Sequence, residues 1–319
     1  MEKLEIVKLF LSNGLQLTPQ VLERLFQNQE IIDKILEFAK QRGAIIIDEN
    51  LLEECLRDLK METRLEIKVV YPEEIREFSV EDVARVLKER FNILSTILQE
   101  NNKLQNLTSL SRVKRLKKGE EATVIGMIKD KTTYSVSIED FTSHETIQLD
   151  AKVVEKLFYD DVVAIKMRRE DEKLVGDKIF YPSLSFFRRQ TLPESEVIVS
   201  HSEIKVGKEV FELAENEVAR VYIGGFKLFI INSKVIEKYT REDEKSIDVL
   251  ISLIERRHLN PSFFLSRKLY KKDLFLLDEI PDTLIVTHAA EPLYKPYKGI
   301  NIFFLPEGRE VRVKEKRIE

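Results

Sequence analysis

Tryptophan is absent from this 319-residue chain, cysteine occurs once and histidine only four times. One cysteine excludes an intramolecular disulfide and a cysteine-based zinc ribbon. Cys55 falls in a helical pattern and reads as a small core residue rather than a nucleophile. No apolar run approaches the roughly 20 residues of a membrane-spanning helix. With no signal peptide expected at its start, the chain is expected to be cytoplasmic. Neither sign of charge dominates: 52 Lys and Arg face 56 Asp and Glu, for a formal net charge of −4. That balance argues against wholesale coating of nucleic acid but leaves room for local basic patches. What the chain has in abundance is charge of both signs, 34% of its residues. Together with its wealth of Lys, Glu and Ile, this is the pattern of a thermophile's protein, in which ion-pair networks keep their value at high temperature.

The length allows two or three domains with real cores. Residues 1–60 read as a helical bundle. Leu4, Val7, Leu9, Phe10 and Leu11 form a first apolar face, and Asn13-Gly14 stops that helix. Thr18-Pro19 restarts it with a cap and a proline at the first helical position. Ile45-Ile46-Ile47 is β-like, and Asp48 caps a further helix. Residues 61–108 read as a linker, with an extended segment at Ile67-Lys68-Val69-Val70, followed by a helix opened by the capping box of Ser79 and Asp82.

Residues 109–182 read as all-β with one helix. The strand 122–128 breaks at Gly126, as a strand that bends round a small barrel would. Three strands, a helix at 151–158 and two more strands give the order of an OB-fold. Residues 183–319 alternate strands and helices, with buried-type strands expected at 274–277, 283–287 and 300–304. Two basic segments stand out. Arg112, Lys114, Arg115, Lys117 and Lys118 precede the barrel, where they are candidate DNA contacts or a solvated loop in a lysine-rich protein; each phosphate contact would be salt-sensitive. Phe186-Phe187-Arg188-Arg189 pairs aromatics with arginines that could stack on bases, or pack between domains. The aromatics Tyr134, Phe141 and Tyr159 are scattered rather than gathered into a platform.

The string Ser202-Glu203-Ile204-Lys205-Val206-Gly207 resembles the Ser-Asp-Ile-His-Val-Gly loop of the small subunit of archaeal family-D DNA polymerase. That family carries a calcineurin-like phosphodiesterase domain with 3′–5′ exonuclease activity. Two further stretches are similar to it: Arg256-Arg257-His258-Leu259-Asn260-Pro261, and Leu277-Asp278-Glu279-Ile280-Pro281-Asp282. The resemblance implies a multidomain α+β protein: an N-terminal helical bundle, an OB-fold barrel and a shortened calcineurin-like α/β sandwich.

It also implies what has been lost. In the family the Asp and His of the first motif bind a catalytic metal. Here Glu203 and Lys205 stand at those positions. A protonated lysine has no lone pair to offer a metal, and it repels a divalent ion by roughly 8 kcal/mol at 4 Å and an effective dielectric of about 20. Asn232 aligns loosely with a later histidine ligand. The last motif, Gly-His-x-His, reads Thr287-His288-Ala289-Ala290, so His288 remains and Ala290 replaces a ligand. The motifs between are missing. His201 with His288, and Glu203 as a third ligand, remain a minor metal hypothesis; His258 reads as a helix C-terminal cap.

By resemblance, the chain is expected to be an inactivated, non-catalytic scaffold subunit without metal or cofactor. Its expected partner is the catalytic large subunit of a family-D or family-B DNA polymerase, other replisome proteins being further candidates, with DNA reached through the complex. The alternative is a free-standing OB-fold DNA-binding or replisome regulatory protein.

Overall fold

The computed structural model describes residues 2–62, 66–184, 191–213, 217–262 and 268–319, the side chains at 30 and 57–62 excepted. The chain divides into two compact units, Met1–Glu66 and Ile67–Glu319.

In the first unit, helices α1 (Lys3–Ser12), α2 (Pro19–Gln27), α3 (Ile32–Gln41) and α4 (Glu49–Glu62) surround a short parallel pair, β1 (Gln16–Leu17) and β2 (Ile46–Ile47). Local chemistry sets these boundaries. Thr18 Oγ1 accepts from the Val21 amide, and Asp48 Oδ1 accepts from the Leu51 amide at 2.9 Å, each satisfying an amide that the helix leaves free. Gly43 follows α3 with φ +63°. Ile6, Phe10, Val21, Leu25, Ile35 and Leu52 fill the core. The apolar face expected for α1 is corrected here. Ile6 and Phe10 point inward, whereas Leu4 and Leu11 are 65% and 55% exposed. At 3.6 residues per turn those two leucines lie about 120–140° around the helix from the buried pair.

The second unit opens with β3 (Ile67–Val70), β4 (Glu74–Ile75), α5 (Val80–Asn101) and the short α6 (Leu110–Val113). The Ser79–Asp82 box is present: Asp82 Oδ2 accepts from the Ser79 amide at 3.0 Å and Ser79 Oγ from the Asp82 amide at 3.3 Å. Then come β5 (Glu121–Lys131), β6 (Ser135–Glu139), β7 (His144–Gln148), α7 (Ala151–Glu155), β8 (Val162–Glu170) and β9 (Lys173–Phe180). The five strands close into a barrel in the order β5-β6-β7-β9-β8, with β7 and β9 parallel and the other pairs antiparallel. Gly126 lets β5 pass close to β6: a Cβ there would meet Ile138 at 3.0 Å.

The remaining strands build two sheets. β10 (Val197–Val199), β11 (Glu203–Val206), β12 (Glu209–Glu212), β19 (Val311–Arg312) and β20 (Arg317–Ile318) form a five-stranded antiparallel sheet ordered β12-β11-β10-β19-β20. The other sheet is mixed and runs β17-β18-β16-β14-β13-β3. It contains β13 (Val218–Ile223), β14 (Phe226–Asn232), β16 (Thr283–Thr287), β17 (Leu293–Tyr297) and β18 (Ile300–Leu305). Every residue of β16 and β18 is buried, as expected of central parallel strands covered on both faces. Helices α8 (Ser233–Glu237) and α9 (Ser246–Glu255) share one core with that sheet.

Residues 61–108 do more than connect. β3 is the edge strand of the mixed sheet, paired to β13, and β4 pairs with β15 (Leu269–Tyr270). The strand expected at 274–277 is absent; those residues are buried in a turn, with one isolated bridge between Leu276 and His258. The reason is Arg220, a fully buried guanidinium on β13 that donates to the carbonyls of Leu274 and Leu276 and to Asp278 at 2.8 Å. Those carbonyls therefore have partners without a strand ladder.

Candidate functional site

The last residue of β14, the end of β16 and the start of β11 converge on an open cleft of about 750 Å³. Its lining includes Glu203, Asn232 and His288, three of the positions singled out from the sequence, together with His201, Ser202, Glu212, Glu217, Lys234 and Lys268. Parallel pairing explains part of this convergence: Asn232 on β14 is in register with Thr287 on β16, which puts His288 beside it. The Asn232 Nδ2 and His288 Nδ1 atoms are 3.3 Å apart. Asn232 also caps α8, its Oδ1 accepting from the Lys234 amide. Ser233 Oγ donates to the His288 carbonyl at 2.9 Å. His288 itself holds a left-handed φ of +56°, a conformation that non-glycine residues adopt uncommonly. Its ring meets that of His201 edge-on, with centroids 5.9 Å apart.

Lys205 lies on the same side of β11 as Glu203, two residues away. Its Nζ is 2.7 Å from Glu203 Oε1, and this hydrogen bond and charge raise the lysine pKa above its ordinary value. The ammonium is therefore held against the carboxylate in its charged form. Deeper in the cleft, Glu217 accepts from Lys268 at 3.2 Å and from the Tyr270 hydroxyl at 3.0 Å, with Lys238 3.7 Å away. Burial acts to raise the Glu217 pKa, but the neighbouring cations and hydrogen bonds outweigh it and the net shift is downward. Both carboxylates are thus engaged by lysines. Among the described residues, no group of three or more His, Cys, Asp and Glu side chains is placed to hold a metal ion.

Ala290 is exposed two residues past His288 and is not part of the cleft lining. The basic residues Arg112, Lys114, Arg115, Lys117 and Lys118 lie elsewhere, exposed on the barrel's flank. Arg188 and Arg189 fall outside the described residues. Tyr134 and Phe141 flank opposite ends of β6, so they form no shared stacking surface. Glu217, Lys268 and Tyr270 were not legible as site residues, because only the packing of distant segments brings them together.

The Arg256-Arg257-His258 stretch has a structural task, and the capping role expected of His258 is corrected. His258 is buried, its Nε2 2.8 Å from Asp273 Oδ2 and its Nδ1 accepting from the Asn260 amide. The helix carbonyl is met instead by Arg256, whose Nη1 donates to Ser252 O at 2.8 Å. Arg256 also donates to Asp161 and to the Lys156 carbonyl, between the rings of Phe158 and Tyr181. Arg257 Nε donates to the Pro182 carbonyl. Two adjacent arginines thus fasten the barrel to the layers that follow it.

No protein-family model matches the chain. Among solved structures, it is similar to the telomere capping protein Ten1 of Saccharomyces pombe over 23% of this chain and 77% of that one, at 19% identity. The TM-score of that match is 0.21, too low to carry an argument. Among curated proteins, the DNA polymerase II small subunit of Pyrococcus furiosus is 30% identical over 147 residues, covering 42% of this chain. That match spans only 24% of the relative's own length. The DNA polymerase II small subunit of Thermoplasma acidophilum aligns with 100% of this chain and 69% of its own length, at 20% identity. The chain is a distant homologue of the archaeal DNA polymerase II small subunits.

Proposed function

We propose that the chain is a non-catalytic accessory subunit of a replicative DNA polymerase, one that holds its partner by its surface and has given up phosphodiester chemistry. One observation carries this reading: the Lys205 ammonium is bonded to Glu203 at the mouth of the cleft. A binuclear phosphodiesterase needs ligands that bracket two metals about 3.5–4 Å apart and generate a bound hydroxide. Here a fixed positive charge stands where a ligand would be needed, and both Glu203 and Glu217 are neutralised by lysines. His201 and His288 are left without a carboxylate free to join them.

The strand order of the barrel, with α7 between β7 and β8 and with β7 parallel to β9, supports reading it as an OB-fold. The two sheets beyond it support reading residues 183–319 as a shortened phosphodiesterase-like sandwich. The Arg256 and Arg257 contacts make barrel and sandwich a single continuous platform, suited to docking a large subunit. The direct check is an exonuclease assay on 3′-labelled single-stranded DNA with Mn²⁺, alongside calorimetric Mn²⁺ titration of the full chain. The reading expects no cleavage above buffer and no tight binding. Cleavage that disappears in His288→Ala would overturn it.

A further inference from the structure

The basic segment before the barrel is sorted by the fold into paired and unpaired charges. Its apolar side chains face inward: Leu110 and Val113 are fully buried and Leu116 packs on the barrel core. Both of its ends are anchored. The Leu110 amide donates to Asp140 Oδ2 and the Ser111 amide to Thr142 Oγ1, in the β6–β7 turn. At the other end the Gly119 amide donates to the Arg169 carbonyl, next to the β8–β9 turn. The segment therefore crosses the flank of the barrel as a fixed strip. Two of its cations are engaged. Lys114 Nζ is 3.2 Å from Glu145 Oε1, and Lys118 Nζ is 2.7 Å from Asp171 Oδ1. Arg112, Arg115 and Lys117 are exposed and, among the described residues, make no ion pair.

We infer that Arg112, Arg115 and Lys117 form a contact strip for the phosphate backbone of duplex DNA, separate from the cleft and independent of how the polymerase partner is held. An acidic protein segment fits less well. A protein interface has an apolar core, and the outward face of this strip presents cations while its apolar residues are turned into the barrel. A duplex supplies the complementary surface, a rigid line of phosphates read without base specificity.

The expected strength and salt response follow from the count of unpaired cations. Three phosphate contacts give a log–log salt slope of about −2.7 on duplex DNA and about −2.1 on a single strand. Affinity for duplex should thus fall about 40-fold between 50 and 200 mM salt. The test is fluorescence anisotropy of the full chain with a labelled duplex across that salt range. Arg112→Ala, Arg115→Ala and Lys117→Ala combined should abolish binding, while Lys114→Ala with Lys118→Ala should keep the slope. Equal binding by the triple variant, or equal loss in the paired-lysine control, would overturn the strip. So would binding of poly-glutamate with none of the duplex, which would make an acidic polypeptide the partner.

Discussion

Arg90 on α5 reaches Asp273, 183 residues further along the chain, and donates to the same carboxylate oxygen twice: Nε at 3.1 Å and Nη2 at 2.8 Å. Its remaining nitrogen serves the Pro261 carbonyl. Both side chains are buried or nearly so. This contact ties α5 to the loops that follow α9. Removing one partner of a buried ion pair leaves the other charge uncompensated, which costs about 3–5 kcal/mol. Arg90→Ala should therefore lower stability by that amount in denaturant unfolding, with the loss confined to the transition of the larger unit.

The same aspartate receives His258, and the pair sets an acid limit. Burial, and then the nearby Arg90 charge, push the His258 pKa down to about 4 from an ordinary 6.5, even though Asp273 pulls the other way. The unfolded state then binds one more proton than the folded state between those two values. This contribution to stability is complete above pH 6.5 and is lost as pH falls toward about 4, at no more than about 1.4 kcal/mol per pH unit for one proton. Asp273, held well below the carboxylate range against its own burial by His258 and Arg90, adds a further loss only in stronger acid. Denaturant midpoints at pH 5 and pH 7 should differ in the wild type and differ less in His258→Gln.

Gly176 marks where the barrel is tightest. A Cβ at that position would lie 2.5 Å from Leu149 Cδ2 and 3.2 Å from both Ile147 and Ile165. These are core side chains with no open space to enter, and overpacking of this kind costs about 1–3 kcal/mol. Gly176→Ala should lower the unfolding midpoint accordingly. Gly225, in the β13–β14 hairpin with nothing within 4 Å of an added Cβ, is the contrasting position; Gly225→Ala should stay within about 0.5 kcal/mol of wild type.

Features decided by neighbouring residues were legible in the sequence. The Thr18-Pro19 helix start, the Ser79–Asp82 box and the bend at Gly126 each depend on chemistry a few residues wide. Features decided by distant partners were not. Leu4 and Leu11 looked as apolar as Phe10, but only packing chooses which side of α1 faces inward. The pairing of β3 with β13 joins residues about 150 positions apart, and nothing in Ile67-Lys68-Val69-Val70 names that partner. Arg220 was missed altogether, because a buried arginine is identified only by the carbonyls it serves. At the cleft, Glu203, Asn232 and His288 came from the family resemblance and are found together. Glu217 and Tyr270 belong to no local pattern.

The measurement that bears most directly on the accessory-subunit account is affinity isolation of the tagged full chain from native cells, with a high-salt wash and mass spectrometry of what remains. The account predicts a DNA polymerase catalytic subunit in about 1:1 ratio, retained after nuclease treatment. Recovery of the chain alone, or only with material that nuclease removes, would contradict it.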